Sequence, residues 1–256
     1  MIKKRIAAAV VVKNNRVVQS FSFFKYLPLG SVNVVVQNLD RWSVDDIIVL
    51  NIDRTAFGLG PNIEVINKIS SIPISTPLTY GGGISSVNEA LAVINAGAER
   101  IILDNVFINK PHLIKKISEA IGSQAIILSI PFRIIDGSFY HFDYVTKKSL
   151  KIDFKKIKQF ENLVSELLLI DVESEGYTGS YNYQIIKNFS DLSFGLICYG
   201  GVGLGPLGSK LLNEDAVNSI VYGNILSYGE LFFQKVKKSL NKSKHNIRRS
   251  IFRDKI

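Results

Sequence analysis

Two glycine-rich segments are the residues best suited to chemistry in this sequence. Tyr80-Gly81-Gly82-Gly83 and Tyr199-Gly200-Gly201-Val202-Gly203 each follow an apolar run and precede a helical stretch. Glycine lets the backbone approach an anion closely, and the start of a following helix supplies free N–H donors. From Gly81 to Asn105 is 24 positions, and from Gly200 to Asn224 is again 24. The expected anion-binding set is therefore Gly82, Gly83 and Asn105 in one half, and Gly200, Gly201, Gly223 and Asn224 in the other. A tight turn accounts for a single triple glycine equally well. Two copies at equal spacing favour phosphate.

The spacing extends beyond the glycines. The run Asp46-Ile47-Ile48-Val49-Leu50-Asn51-Ile52-Asp53 answers Glu166-Leu167-Leu168-Leu169-Ile170-Asp171-Val172-Glu173 at a shift of 120, and Val11-Val12-Lys13 lies 120 before Pro131-Phe132-Arg133. That period is too long for a solenoid unit and fits two half-barrels of one domain. Eight nearly continuous apolar runs read as strands buried on both faces: 6–12, 47–51, 75–80, 100–103, 125–130, 167–171, 195–199 and 219–222. Helical stretches alternate with them. One covers Ile63 to Ile69, one starts near Ser85 and stops at Gly97, and one opens at Pro111 and ends at Gly122. Regular alternation of strand and helix predicts parallel βαβ units, and eight of them predict a (β/α)₈ TIM barrel. Its expected extent is 1–240, with half-repeats 1–120 and 121–240 and a basic tail at 241–256. Arg133–Thr146 breaks the pattern and reads as an inserted β-hairpin turning at Asp136-Gly137.

Composition narrows the function. The chain has 256 residues, 46% hydrophobic, enough for a full core. Its one cysteine, Cys198, lies in an apolar run and excludes disulfide frameworks and cysteine-based metal clusters. His112, His141 and His245 are scattered, so no metal site is expected, and no cofactor motif is read. The net charge of +9 is concentrated from Lys235 onward. With few aromatics interleaved, that region reads as a solvated extension rather than a nucleic-acid surface. Met1–Ile6 has the charge of a signal start, but the apolar run Ile6–Val12 is short, leads into Lys13-Asn14-Asn15-Arg16 without a cleavage site and reads as a first strand, and no stretch is long enough to span a membrane. A cytoplasmic location is the default expectation.

Several motifs together resemble the cyclase subunit of imidazole glycerol phosphate synthase, the HisF family. They are Lys4-Arg5-Ile6, Lys13 with Arg16-Val17-Val18, Tyr80-Gly81-Gly82-Gly83-Ile84, Gly97-Ala98-Glu99-Arg100, Gly122-Ser123-Gln124, Ser165-Glu166-Leu167-Leu168-Leu169, Glu175-Gly176 and Gly200-Gly201-Val202-Gly203. The resemblance implies a twofold-repeated barrel whose substrate carries two phosphates, one per half. It also implies a class I glutaminase docked on the lower face, with ammonia passing through the barrel. A charged gate guards that entrance in the family; the matching positions are Arg5, Asp46, Arg100 and Glu166. Glu99 and Gln124 match partner-contacting and gate-flanking positions. Charged residues also cap strand starts for ordinary reasons, but four of the right sign at four matching places favour a retained gate.

The upper face departs from the family. Its two catalytic aspartates, general acid and base, fall at Val11 and Pro131, neither of which can transfer a proton. The loop lysine falls at Gln19, the aspartate ending the second barrel strand at Asn51, and the asparagine and threonine ending the fourth at Asp104 and Asn105. The resemblance with these losses predicts a specialised barrel with no catalytic residue of the family type. It would bind and activate a glutaminase and conduct ammonia to another acceptor, as in surface-sugar (acetamidino sugar) biosynthesis, with a third amidotransferase protein as a further partner. The alternative is a cyclase subunit of histidine biosynthesis with relocated acid–base groups, for which Asp53, Asp171, Glu173 and Glu175 are the nearby carboxylates. A scaffold without a channel is the weakest reading.

Overall fold

The computed structural model describes residues 3–189, 191–229, 232–242, 245 and 247–248. Eight parallel strands close into a barrel: β1 (Arg5–Lys13), β4 (Ile47–Asn51), β5 (Leu78–Gly81), β6 (Arg100–Leu103), β7 (Ile126–Ile135), β10 (Glu166–Asp171), β11 (Gly195–Tyr199) and β12 (Val217–Tyr222). Each pairs with the next, β12 pairs with β1, and β7 with β10, which leaves the barrel no open edge. Helices α1 (Val32–Arg41), α3 (Ile63–Ser70), α4 (Val87–Asn95), α6 (His112–Ile121), α8 (Pro206–Leu212) and α9 (Phe232–Lys242) lie between or after the strands. The short α2 (Ile52–Ala56), α5 (Asn105–Asn109) and α7 (Phe154–Lys158) fill strand–helix junctions, and a 3₁₀ stretch covers Tyr183–Phe189. The fold is the expected (β/α)₈ barrel.

Alternation along the strands divides the core in two. Ile6, Ala8, Val10 and Val12 of β1 face outward and join the large layer under the helices. Ala7, Ile48, Ile102, Ile127, Leu168, Ile197 and Val221 face inward and fill the barrel. Local signals set the helix starts. Ser86 caps α4 by accepting from the Glu89 N–H at 3.2 Å, while Glu89 returns hydrogen bonds to Ser85 and Ser86. Asn62 caps α3 from the Val65 N–H.

The structure adjusts several expected boundaries. Ser75 and Thr76 do not enter β5, because both backbone N–H groups donate to Asp40 Oδ1 at 3.0 Å. Ala125 belongs to a 3₁₀ turn, and β7 runs on to Ile135 as one arm of the expected hairpin. Its partner β8 (Ser138–Asp143) is joined by a third strand, β9 (Lys148–Lys151). A second hairpin, unexpected from the sequence, follows β1: β2 (Arg16–Phe21) and β3 (Lys25–Gly30). The first strand of each half thus carries an antiparallel insertion. Asn14 and Asn15 turn β1 into β2 with φ of 49° and 60°, and Asp136 and Gly137 turn β7 into β8 with 49° and 71°. Positive φ at both central residues is what a two-residue hairpin needs.

The basic run from Lys235 is not uniformly solvated. Lys237 is buried; its Nζ reaches Asp45 Oδ1 at 2.7 Å and the Ser43 carbonyl at 3.0 Å. Asp45 Oδ2 also accepts from the Ile6 N–H at 2.7 Å, so the pair ties α9 to the start of β1. Ile247 is buried and bridges Lys4. Most of the expected 241–256 tail, including Lys244, Arg249, Arg253 and Lys255, lies outside the described residues. Removing one member of a buried pair leaves the other desolvated and alone. Lys237→Ala should therefore lower unfolding free energy by about 3–5 kcal/mol, read from denaturant midpoints. A loss below about 1 kcal/mol would show that the pair does not anchor α9.

Candidate functional site

Chemistry-bearing residues gather at both ends of the barrel. At the lower end, the starts of β1, β6 and β10 and the residue before β4 bring Arg5, Arg100, Glu166 and Asp46 together. Arg5 Nη2 holds both Glu166 oxygens, at 2.6 and 2.7 Å. Arg100 Nη1 holds Glu166 Oε2 at 2.5 Å, and Arg100 Nη2 pairs with Asp46 Oδ2. The charges form a string, Arg5–Glu166–Arg100–Asp46, with Arg5 at one end and its Nε buried without a partner. Thr79 Oγ1 donates to Asp46 at 3.0 Å and Asn218 Nδ2 to Glu166 at 3.0 Å. Burial works to raise the Glu166 carboxyl, but Arg5 and Arg100 outweigh it and hold the group below its ordinary value. Burial dominates at Asp46, which stays above its ordinary value in spite of Arg100 and Arg5. Glu99 and Gln124 line the mouth beneath the string, a cavity of about 380 Å³ that Arg248 also borders. Thr79 and Asn218 were not anticipated; inward alternation back from Gly81 marks Thr79, whereas Asn218 is out of phase with Val221 and enters the mouth at the register shift between Val217 and Ser219.

At the upper end the two positions of the family's acid–base pair do not share a cavity. Pro131 lines the main one, about 340 Å³, together with Phe23, Phe57, Ile102, Asp104 and Tyr144. Val11 lines a separate apolar cavity of about 270 Å³ with Val18, Leu29, Val34 and Trp42. The four nearby carboxylates have structural duties or face away. Asp53 accepts from the Asn14 N–H at 2.7 Å and from Asn51 Nδ2 at 2.6 Å. Asp171 accepts from the Ser174 and Asn182 N–H groups. Glu173 is exposed. Glu175 is fully buried, accepting from Ser20 Oγ at 3.0 Å and Tyr199 Oη at 3.1 Å.

The hairpins meet over this cavity. Phe23, at the tip of the first, packs 6.4 Å from both Phe142 and Tyr144 of the second. Its φ of 59° is unusual for an aromatic residue. His141, read from sequence as an undistinguished hairpin residue, is buried, and its Nε2 lies 3.3 Å from Asp104 Oδ1. The contact is electrostatic rather than a well-aligned hydrogen bond, since neither ring nitrogen meets hydrogen-bond geometry. Burial raises the Asp104 carboxyl; His141 and Ser129 pull the other way without cancelling it.

The glycine loops are shaped first by their own neighbours. A side chain on Gly82 would strike the Asn51 carbonyl, and one on Gly200 the Asp171 carbonyl. In each half the loop thus presses on the residue ending the preceding barrel strand. Gly83 N–H donates to Thr55 Oγ1 at 2.9 Å, and the Asn105 side chain accepts from Asn109. In the second half, Gly200, Gly201, Gly223 and Asn224 share a cleft of only about 20 Å³ beside Tyr177. Asn224 exchanges hydrogen bonds with the Ser20 backbone at 2.7 and 3.2 Å. The expected anion residues are therefore assembled in two groups, with several donors already engaged. Cys198 is buried and its thiol is pushed up to about 12, as befits a core residue. Among the described residues no cluster suits a metal ion, and no helix is long and apolar enough to cross a membrane.

A parallel eightfold barrel with two glycine loops and an internal charge string defines a class of two-half barrel proteins. The chain belongs to the family described as histidine biosynthesis protein, which matches residues 5–231. It is 29% identical over 256 residues to a Vibrio vulnificus protein named, provisionally, imidazole glycerol phosphate synthase subunit hisF2, covering 98% of this chain and 93% of that one. It is 27% identical to the imidazole glycerol phosphate synthase subunit HisF of Bacillus cereus, over 97% of this chain and all of the relative. The Campylobacter concisus subunit of that name is also 27% identical, over 93% of this chain and 94% of the relative.

Glu175 gives the upper end a defined pH response. Its proton is held more tightly in the folded protein than in the unfolded chain, because burial disfavours the charge. The stability this contributes is complete below the ordinary glutamate range and is lost as pH rises through the raised folded value. Glu175→Gln cannot ionise, so its stability relative to wild type should improve between pH 5 and pH 8. A difference that stays flat or falls over that interval, in denaturation at the two pH values, contradicts the assignment.

Proposed function

We propose that this chain is a HisF-type barrel subunit that takes ammonia from a class I glutaminase through its lower mouth and delivers it to a reaction other than the family's acid–base cyclisation. The contrast between the two ends carries this reading. Below, four charges remain paired across the barrel with Glu99 and Gln124 beside them. Above, the proton-transfer positions are Val11 and Pro131, opening into different cavities.

A string of ion pairs suits a gate. An apolar plug would close the mouth with less desolvation cost. Charges at a solvent-facing mouth remain partly hydrated and can separate at modest cost. Arg5 is the end member, held among the described residues by the Glu166 carboxylate, and is the natural leaf to swing. Above it the apolar filling from Ala7 to Val221 disfavours ammonium, whose charge is costly to desolvate, more than neutral ammonia. The anion site is assigned to the second-half loop, where no carboxylate lines the cleft.

The names of the three relatives favour a second reading, the cyclase subunit itself. Under it, proton transfer must come from a relocated group. The acetamidino-sugar acceptor and the third protein rest on the resemblance alone.

Two measurements separate the readings. Supplied with the family's substrate and ammonium salt, the purified chain should form no imidazole glycerol phosphate, because losing general acid–base help costs ~10²–10⁴ per role. Turnover within about a hundredfold of an ordinary cyclase would establish the second reading. Co-expressed with a glutaminase encoded beside it, the chain should form a one-to-one complex with raised glutaminase activity. Arg5→Ala should leave the complex intact but let ammonia escape, seen as glutamine hydrolysis uncoupled from use of the product. Unchanged coupling, or no complex, removes the conduit.

A further inference from the structure

We infer that the upper cavity recognises a small molecule bearing N–H or O–H donors on an apolar body, in place of the phosphate implied for the first-half glycine loop, and that Asp104 sets this preference. The inference deepens the proposed function by giving the chemical class of the upper ligand.

Three independent observations converge. The loop has lost donor capacity, since Gly83 N–H is spent on Thr55 Oγ1 at 2.9 Å. The carboxylate of Asp104 lines the cavity, its side chain 12% exposed, so an anion there would meet a fixed negative group. At contact distance two like charges repel, and more strongly beside a protein wall than in bulk water. The walls, finally, are largely carbon: Phe23, Phe57, Ile102, Pro131, Ile170 and Tyr144. Such walls gain from covering an apolar body and little from a hydrated dianion.

His141 acts through Asp104. It reaches the carboxylate from the inserted hairpin at 3.3 Å and is itself buried. Ser129 also bonds Asp104, and Asp143 and Tyr144 lie close enough to affect its charge. Lys13 and Lys147 line the same cavity; the ammonium of Lys13 stacks 4.0 Å over Tyr26 and that of Lys147 lies 5.9 Å from the Phe142 ring. The cavity thus presents an acceptor on a carbon wall, with cations held by aromatic rings.

The test uses matched probes on the full-length protein: benzylamine, benzyl phosphate and inorganic phosphate, with affinities from titration calorimetry and chemical shifts of the His141 ring locating the site. Wild type should bind benzylamine at least tenfold more tightly than benzyl phosphate and move the His141 signals. Asp104→Asn should reverse the order, weakening benzylamine at least fivefold and strengthening the phosphates. His141→Gln, which keeps a donor beside the carboxylate, should retain benzylamine binding with an altered pH profile, which a purely structural role would not produce. Equal or tighter phosphate binding at this loop in wild type overturns the inference. So does an order unchanged by Asp104→Asn, or binding of none of the probes. These outcomes are independent of glutaminase coupling, so failure here leaves the conduit standing, and failure of the conduit leaves this cavity's preference intact.

Discussion

Four charges inside the lower end of a closed barrel constrain the rest of the molecule. Each is partnered at 2.7 Å or closer, and Asp46 and Glu166 are buried. The two buried carboxylates are tolerable only while a guanidinium stays on each, a condition that Arg100, in contact with both, meets even when the more exposed Arg5 moves. That requirement fixes strand register. A slip of one residue in β1 would turn Arg5 and Ala7 toward the helices and drive Ile6 into the mouth. The same parity places Ala7, Ile48, Ile102, Ile127 and Leu168 above the charges, so the paired ions and the apolar filling are two consequences of one register. Thr79 and Asn218 close the remaining valences of Asp46 and Glu166. The Lys237–Asp45 pair reinforces this end from outside by fixing the last helix to the start of β1.

The upper end is organised by insertion. Both halves leave their first strand through a hairpin, and the two tips meet at Phe23 and Tyr144. Glu175 holds the first hairpin through Ser20 and Phe23, while the backbone of residues 173–175 accepts from Ser22. The second hairpin delivers His141 to Asp104. The main cavity therefore owes its aromatic cover to segments outside the barrel framework, so its chemistry can differ from that of other barrels with the same strands and helices.

The framework was legible because buried parallel strands announce themselves. The runs 47–51, 100–103 and 195–199 coincide with the observed strands, since apolar side chains on both faces leave no ambiguity of period. The four lower-end charges were legible as a group for the same reason: a charge at the start of such a run has to point into the mouth or away from it. The first hairpin was not. Its turn is Asn14-Asn15, without the glycine that marks Asp136-Gly137, and its arms mix polar and aromatic residues without clean alternation. The Asp104–His141 contact was illegible in principle. It joins the end of β6 to an inserted strand that pairs with β7, and only that pairing, His141 opposite Phe132, turns the ring toward Phe107 and Asp104. The separation of Val11 from Pro131 was also hidden, because equivalent positions in two half-repeats are expected to face one another and here border different cavities.

The two ends can differ because what lies between them carries no charge. Ala7, Ile48, Ile102, Ile127, Leu168, Ile197 and Val221 form a packed layer without an ionisable group. Hydrogen-bond networks transmit changes of protonation only where they are continuous, and this layer interrupts them. A change at Val11, Pro131 or Asp104 in the upper end therefore has no polar route to the Arg5–Glu166–Arg100–Asp46 string. What crosses the layer must be small and neutral, or must act by shifting packed side chains. The lower mouth and the upper cavity can thus vary independently, and under the proposed function the acceptor is decided by the residues around Asp104 rather than by the charge string.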